Sequence, residues 1–531
     1  MEYSRIQLDD LPDEILMIIF KKLGHILVLY SLIGINKRLN KIAHDSIFTN
    51  HLTLIASWNH SICALPYPIL DQFCSRVLPE IHDKIKWLEL ETFSMERILF
   101  ATTYPNLYGL RLHNIQQETA IRIFSDDTPL TNIFKSQISS LVIDVIENKK
   151  QSLIEDVNAF IFTHIITIFS NLQYLNFCPS LFFYQYLSFD NSPPTVFSST
   201  LLELRVCLEN FTDCLYLLDG RFNQLRTLHV KIFDITFSSL VIDNKDKLPN
   251  LKHFLLNCDM KIDGYDELLL PLLHRMLNLE KLCLCLTVCE RNRFIDISDL
   301  EKDIINHMPQ LNKFLFNIYS TICFNDQIDL PSNEDIQHRF KASKDNKMIS
   351  CIDYFPSRKE GQCHIYSYPY IGESYKNLTN NFPGGFFQYV HELTLYDERP
   401  FEHEFFLRIS QSFPFIKRLT LTNLKPQNDQ QCRKSNNDNQ DLSIIEYPHL
   451  IQLDLTKAHE DYVEQFLANN KMCLPNNVHL FINYGSLQRV THNFTKDTTR
   501  MNCAKLCYIY FSSKTIFPPH LKDYFPHANI N

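Results

Sequence analysis

Glycine is scarce in this sequence, with 10 residues in 531, and tryptophan occurs only twice. So few glycines argue against a glycine-rich phosphate-binding loop, and neither Gly-x4-Gly-Lys nor Gly-x-Ser-x-Gly occurs. The 21 histidines do not form the His-Glu-x2-His motif of zinc hydrolases. Because no catalytic motif is present, we expect the protein not to be an enzyme.

Long apolar runs and an excess of positive charge are also missing. No run reaches the eighteen or so apolar residues of a membrane-spanning helix, so we expect no membrane partner. The net charge of −9 and the pI near 6.2 give no reason to expect nucleic acid as a partner. The polar, acidic N-terminus is unlike a secretory signal, so we expect a cytoplasmic and/or nuclear protein.

The sixteen cysteines are scattered without the spacing of a disulfide framework, and we expect them to remain thiols. Cys283, Cys285 and Cys289 form a Cys-x-Cys-x3-Cys string, for which a metal or redox role is one interpretation. No nearby histidine pair or second Cys-x2-Cys string completes a set of four ligands. We therefore expect no metal and no cofactor.

The first fifty residues carry the clearest helical pattern. Pro12 suits the start of a helix, where its missing N–H costs nothing, and acidic residues follow at 13–14. Apolar residues then recur every three or four positions up to a stop at Gly24. Two more helices are predicted, over 27–35 and after a capping Asn36. Three short helices cannot bury this aliphatic surface among themselves, so the rest of the chain or a partner covers it.

The string Leu11-Pro12-x-Glu14-Ile15-Leu16-x-x-Ile19-Phe20-x-x-Leu23, with Asn36-Lys37-Arg38-Leu39 further on, resembles the F-box. This small helical module docks on the Skp adaptor of cullin-type ubiquitin ligases. The second string departs from the Cys- and Trp-containing form common in the family, but it keeps the order apolar, basic, apolar. The resemblance covers about a tenth of the chain. The residues that match the adaptor-facing motif are Leu11, Pro12, Ile15, Ile19, Phe20 and Leu23. For Leu16 and Phe20, the other interpretation is that they hold the three helices together.

From Ile85 onward one pattern returns: an apolar residue, two free positions, then leucine-like residues separated by one. Its copies begin at 85, 107, 138, 172, 201, 225, 251, 279 and 311, and after a gap at 390, 416 and 450. They are 22 to 34 residues apart within each run, which is typical of leucine-rich repeats. Helix-like stretches lie between copies, for example at 157–169 and 268–276. Two late apolar runs, at 478–482 and 506–510, are predicted to form closing strands.

Each repeat thus pairs a short strand with a helix, and stacked repeats bury jointly what neither element buries alone. We predict an α/β fold in which a three-helix F-box module precedes a curved leucine-rich-repeat solenoid with parallel short strands and outer helices. The predicted domains are the module at 1–50, a bridging helical segment at 51–80 and the solenoid at 81–531. Within the solenoid, 322–388 is irregular or inserted, and the polar stretch 425–442 is a mobile loop.

Side chains alternate along a strand, so each copy of the pattern has an inward apolar set and an outward polar set. Aromatic, arginine and amide groups on a rigid sheet suit the recognition of a folded protein or a peptide. We expect most outward residues to be solvated and idle. The candidate substrate-binding residues are the outward ones of anchor type, namely Trp87, Arg111, Tyr174, Arg205 and His229.

The resemblance implies a substrate-recognition subunit of a cullin-RING (SCF-type) ubiquitin ligase, with no chemistry of its own. Its module would dock a Skp-type adaptor, and through it a cullin, while the solenoid holds an unidentified protein substrate. The alternative is a leucine-rich-repeat scaffold that binds proteins without associating with a ligase. An enzyme built on the solenoid has no site to support it.

Overall fold

The structure is a computed structural model that describes residues 11–58, 61–125, 134–146, 157–178, 186–189, 194–236, 247–289, 293–323, 348–428, 443–512, 518 and 521–530. The chain forms two compact units. The first comprises residues 1–283 and 302–314, and the second comprises residues 284–301 and 315–531. Both mix helices with strands, and most of the strands pair in parallel.

Four helices open the described chain: α1 (Asp13–Leu23), α2 (His25–Leu32), α3 (Lys37–Ala43) and α4 (Ser46–Thr49). Pro12 is the N-cap of α1, one residue before the predicted position, and Gly24 ends the helix at a φ of 82°. A positive φ of this kind favours glycine, which explains the stop. Asn36 caps α3 by accepting a hydrogen bond from Leu39 N at 2.8 Å. The predicted cap of α3 and the stop at Gly24 are confirmed, and α1 begins one residue later than predicted.

The bridging segment 51–80 holds strands as well as the predicted helix. His51–Thr53 pairs in parallel with Trp87–Glu91, in a register that puts His51 opposite Trp87. Ala56–Trp58 and Ser61–Cys63 form a small antiparallel pair. The sheet of the first unit therefore begins at 51 and not at 81 or later, because a three-residue strand gives no repeat pattern in the sequence.

The helix of this segment runs from Tyr67 to Ile81 and contains Pro79. A proline lacks the N–H for the regular helical hydrogen bond and crowds the preceding turn. The helix forms a π turn over Phe73–Val77, directly before Leu78-Pro79. The same arrangement recurs where a π turn over Tyr265–Leu269 precedes Leu270-Pro271. We attribute both π turns to the prolines, which are thus accommodated inside the helices.

Eight strands of the first unit pair in chain order and all in parallel: His51–Thr53, Trp87–Glu91, Gly109–Gln116, Ser140–Ile146, Tyr174–Asn176, Glu203–Asn210, Thr227–Asp234 and His253–Ile262. Tyr186–Leu187 also pairs with Glu203–Asn210. The helices between these strands are the one at Tyr67–Ile81, Thr92–Leu99, Gln117–Phe124, Val157–Ile168 and Phe211–Leu217, and the π and α turns of Tyr265–Leu273 follow the last strand. The boundaries between the two units fall within three elements, namely the strands Lys281–Val288 and Lys313–Cys323 and the helix Ile297–Asp303.

The strands begin at a constant position in the repeat pattern. Each of the twelve begins two residues after the first apolar residue of its copy, as Thr227 follows Leu225. At that point two successive N–H groups donate to one carbonyl of the preceding repeat. Arg226 N and Thr227 N, for example, donate to Leu202 O at 2.8 and 3.0 Å. This backbone bracket recurs at all twelve strands and joins each repeat to the preceding strand.

Asparagines just before the first apolar residue add a second link between neighbouring repeats. Asn250 Nδ2 donates to Asn223 O at 2.7 Å, and Asn278 Nδ2 donates to Pro249 O at 2.9 Å. Asn106 and Asn171 make the equivalent bonds to Asp83 O and Ser136 O. Together with the buried leucines of the strands, these amides fix the spacing of successive repeats.

The second unit begins with antiparallel strands. Met348–Phe355 and Glu360–Ser367 form a hairpin, and residues 317–323 pair antiparallel with 360–366. The repeat pattern describes parallel strands that are joined by helices. The strands of this hairpin are antiparallel, so they do not carry the pattern.

Seven parallel strands follow in chain order: Ser374–Leu378, Glu392–Tyr396, Arg418–Asn423, Gln452–Ala458, Val478–Ile482, Leu506–Phe511 and Asn529–Ile530. Ile445–Glu446 and Met472–Cys473 form a separate parallel pair. The helices are His403–Ser412, Glu460–Leu467, Tyr484–Val490, Asp497–Cys503 and Leu521–Tyr524. The two predicted closing strands are confirmed. The predicted mobile loop at 425–442 lies outside the described residues from 429 onward.

One prediction about the cysteines was wrong. Cys178 and Cys207 are joined by a disulfide bond, whereas the other described cysteines remain thiols. Cys178 lies two residues after the strand Tyr174–Asn176, and Cys207 lies on the strand that pairs with it. The two are 29 residues apart, about one repeat, so only the stacking of repeats brings them together.

Candidate functional site

The N-terminal helices expose an apolar surface, which we call the apolar face. It consists of Ile15, Ile18, Ile19 and Leu23 of α1, Leu27 of α2, Ile35 and Ile47. Ile15, Ile18 and Leu23 are 43%, 58% and 50% exposed. The four α1 residues recur at three- and four-residue spacing and therefore share one side of the helix. No described segment of the chain covers this side.

The opposite side of α1 packs inside the module. Leu16 and Phe20 are 0% and 2% exposed, and Leu39 of α3 is buried with them. Of the six predicted adaptor-binding residues, Pro12, Ile15, Ile19 and Leu23 are exposed and Leu11 is partly exposed. Phe20 differs from the expectation because it lies in the core, which fits the interpretation that it holds the helices together.

Three cations fix the position of the module. Arg38 Nε donates to Asp13 Oδ1 at 2.7 Å and its guanidinium also reaches Leu11 O, so α3 anchors the start of α1. Arg76 Nη2 donates to Ile33 O at 2.7 Å, and Lys84 Nζ donates to His44 O at 3.1 Å. The last two bonds satisfy carbonyls at helix ends, where cations are favoured. They tie α2 and α3 to the segment that leads into the repeats.

The outward side chains of the first unit's strands form a second surface, which we call the first polar face. Its members alternate with buried leucines along each strand. They include Trp87, Glu89, Arg111, His113, Asp144, Tyr174, Asn176, Glu203, Arg205, Thr227, His229 and Lys231. All five predicted substrate-binding residues lie on this face and are partly exposed.

Trp87 lies flat over its neighbour Gly109. An added Cβ at Gly109 would stand 1.9 Å from Trp87 Cε3, so only glycine leaves room for the ring. His51 and Tyr108 contact the ring, with centroids 5.6 and 6.4 Å away. Trp87 Nε1 is buried and has no hydrogen-bond partner among the described residues. The ring is therefore held in place while its donor stays unused.

Glu89 lies between two imidazoles on the same face. His51 Nε2 is 3.0 Å from Glu89 Oε1, and His113 Nε2 is 3.6 Å from Glu89 Oε2. The His113 imidazole, helped by His51 and Arg111, lowers the pKa of Glu89 to about 2, although burial opposes this change. Burial raises the pKa of Asp144, on the strand beyond Arg111. Arg111 itself makes no ion pair with any described residue, and its Nε is buried without a partner.

Arg205 joins two of the other predicted anchors. Its guanidinium lies 5.7 Å from the Tyr174 ring centroid and pairs with Glu203 at 2.8 Å. His229 is level with Arg205 on the next strand. Burial, followed by the charge of Arg205, lowers the pKa of His229 to about 4, so its imidazole is neutral near pH 7. Tyr174, Arg205 and His229 thus lie on neighbouring strands, whereas Trp87 and Arg111 form a separate group.

The second unit has its own outward surface, the second polar face, which carries an aromatic group that our sequence reasoning missed. His479 and Phe481 on one strand lie beside Tyr508 and Tyr510 on the next. The rings of Phe481 and Tyr510 stack with centroids 4.4 Å apart and planes 12° apart. The alternation of aromatics at 479, 481, 508 and 510 was a readable signal, but the strands were predicted only as closing elements.

Among the residues that the structure describes, no three His, Cys, Asp or Glu side chains lie together as metal ligands do. The helices within those residues are all too short or too polar to cross a membrane. No family model matches the chain, and no curated protein matches it significantly.

Proposed function

We propose that this chain is a substrate-recognition subunit of a cullin-RING ubiquitin ligase of the SCF type. In this proposal an F-box docks a Skp-type adaptor through the apolar face, and a leucine-rich-repeat solenoid binds a target protein through its polar faces. The adaptor connects the chain to a cullin, and the complex acts in the cytoplasm and/or nucleus. The protein supplies no catalytic group of its own.

The observation that carries the proposal is the open apolar face. Isoleucines and leucines at 15, 18, 19 and 23 remain about half exposed on a helix whose other side is well packed. Monomeric proteins rarely leave such a patch uncovered unless a partner binds it. Of the positions that match the adaptor-facing motif of the F-box, Ile15, Ile19 and Leu23 belong to this face, Leu11 and Pro12 precede the helix, and Phe20 is buried.

The magnitude of burial is adequate for a stable complex. Full burial of one aliphatic side chain is worth about 1.5–3 kcal/mol, and these side chains already are about half buried. Seven such residues therefore contribute on the order of 5–10 kcal/mol before the costs of association. The partner must add polar or further apolar contacts, for which the exposed lysines at 21, 22, 37 and 41 are available.

The repeated bracket supports the second part of the proposal. Twelve strands that start at the same position in a 22- to 34-residue pattern, with helices between them, are the arrangement expected of leucine-rich repeats. Such repeats present outward strand residues on a broad sheet, and recognition of proteins is their common use. The mixed charges and aromatic rings of both polar faces suit this role.

A pull-down with a purified Skp-type adaptor tests adaptor docking. Ile15→Asp places a charge in the centre of the apolar face and should reduce adaptor binding at least tenfold, since burying that charge costs several kcal/mol. Phe93→Asp is the matched control, because Phe93 is 83% exposed and lies outside the apolar face. It should bind the adaptor like the unchanged chain.

Equal adaptor binding by both variants would contradict docking through this face. If the unchanged chain fails to bind any Skp-type adaptor, the ligase role fails. The remaining function is then a repeat scaffold that binds proteins through its polar faces alone.

A further inference from the structure

The aromatic group on the second polar face ends in a step. Phe481 and Tyr510 are opposite each other on adjacent parallel strands, and their rings stack face to face. The normal of the Phe481 ring therefore points across the strands. One face of the ring is covered by Tyr510, and the other face looks toward the strand Gln452–Ala458.

The residue on that strand level with Phe481 is Asp454, and Thr420 is the next residue along the same row. Both are much shorter than a phenyl ring. The row thus descends from Tyr510 and Phe481 to Asp454 and Thr420. Phe481 and Asp454 are both partly exposed, so the wall of the step is the face of Phe481 away from Tyr510, and its floor is the Asp454 carboxylate.

The carboxylate of Asp454 has one oxygen in use and one available. Thr456 N and Thr456 Oγ1 both donate to Asp454 Oδ1, at 2.9 and 2.7 Å. No described residue donates to Oδ2, and this oxygen is not enclosed by the protein. Arg418 is the nearby cation, since it lies opposite Gln452 on the adjacent strand. Its guanidinium pairs with Glu392 at 3.1 Å. Within the described part of the chain no cation pairs with Asp454, so the step offers a negative charge beside an aromatic face.

We propose that this step binds a cationic side chain, an arginine or a lysine, of the protein that the repeats recognise. A guanidinium or ammonium group in the step lies against the Phe481 ring and pairs with Asp454 Oδ2. Cations favour the faces of aromatic rings, and a carboxylate at the same place adds a charge-assisted hydrogen bond. The inference rests on the target-binding part of the proposed function and is independent of adaptor docking.

The test uses the full chain and synthetic peptide pools in which one central residue is fixed and the flanking residues are randomised. The fixed residue is arginine, lysine or citrulline, which is the neutral counterpart of arginine with almost the same shape. We expect the arginine pool to bind about tenfold more tightly than the citrulline pool, since the two differ mainly by the ion pair in the step. The lysine pool should also bind more tightly than the citrulline pool.

Two variants locate the effect. Asp454→Asn keeps an oxygen for the Thr456 donors and removes only the charge, so it should abolish the preference for arginine over citrulline. Phe481→Leu should reduce that preference, because it removes the aromatic face. Glu404→Gln is the control, since it removes a charge of the same sign from an exposed position on the helix His403–Ser412, and it should leave the preference intact.

The proposal is overturned if the unchanged chain binds the arginine and citrulline pools equally. It is also overturned if Glu404→Gln lowers the preference as much as Asp454→Asn, because net charge alone would then explain the binding. Adaptor pull-downs with Asp454→Asn separate the two proposals. Retained adaptor binding beside a lost arginine preference supports both, and absent adaptor binding by every variant refutes only the ligase role.

Discussion

Replacing Gly109 by alanine should destabilise the first unit through Trp87. The new Cβ would stand 1.9 Å from Cε3 and 2.5 Å from Cζ3 of the indole, well inside contact distance. The ring cannot move away freely, because His51 and Tyr108 pack against it. Overpacking of this kind typically costs about 1–3 kcal/mol of unfolding free energy.

A double-mutant cycle identifies the cause. Trp87→Ala removes the obstacle, so Gly109→Ala should cost almost nothing in that background, and the coupling energy should be about 1–3 kcal/mol. Urea unfolding of the full chain, followed by far-UV circular dichroism, measures all four chains. Fluorescence adds a local reading, because Trp58→Phe leaves Trp87 as the single tryptophan.

Two results would refute this reasoning. The first is an unchanged urea transition in Gly109→Ala, which would mean that the indole does not lie over Gly109. The second is a double variant in which the costs of the two single changes simply add, which would mean that the damage arises in the backbone of Gly109 itself.

Two further predictions concern stability. Leu16→Ala should lower the free energy of unfolding by about 2–5 kcal/mol because Leu16 is fully buried, whereas Ile18→Ala on the apolar face should lower it by less than about 1 kcal/mol. Urea titrations compare the two variants, and equal losses would contradict the assignment of the two sides of α1. Burial lowers the pKa of His364 far below its usual value, so the folded chain binds fewer protons there than the unfolded chain. Its contribution is complete above the unfolded pKa of about 6.5 and is lost as the pH falls below it, by at most about 1.4 kcal/mol per pH unit. His364→Gln should therefore weaken the fall in urea midpoint between pH 7 and pH 5, and an unchanged slope would refute this assignment.

Much of the strand arrangement could be predicted from the sequence because the repeat pattern is a direct record of burial. Apolar residues recur wherever a strand residue faces the core, so the pattern gave the inward and outward sides of the twelve strands that carry it. The helix α1 was equally readable, since Pro12, the acidic first turn and Gly24 act locally. Local rules and burial patterns are properties of single segments, which is why they survive in the sequence alone.

Features that depend on two distant segments were not predictable in this way. The strand His51–Thr53 has no pattern of its own and exists because Trp87–Glu91 is beside it. The Cys178–Cys207 bond requires the register of neighbouring repeats. Phe20 matched a motif position, but its burial is decided by the way α1 packs against the other helices of the module.

The candidate site was predicted in part. The five anchor residues were correctly placed on an outward surface, because alternation along a strand is strict. Their grouping was not foreseen, since it depends on which side chains pair, as Arg205 does with Glu203, whereas Arg111 forms no ion pair with the residues that the structure describes. The step beside Phe481 was missed for the same reason. The step arises because side chains of different length lie opposite each other on adjacent strands.

The backbone bracket has a consequence for how such a molecule can change over time. Only main-chain atoms take part in it, and the asparagine amides that reinforce it sit away from the outward strand positions. Exchanging an outward residue therefore leaves the attachment of one repeat to the next untouched. Single substitutions at outward positions can therefore change which proteins are bound while the repeat backbone stays the same.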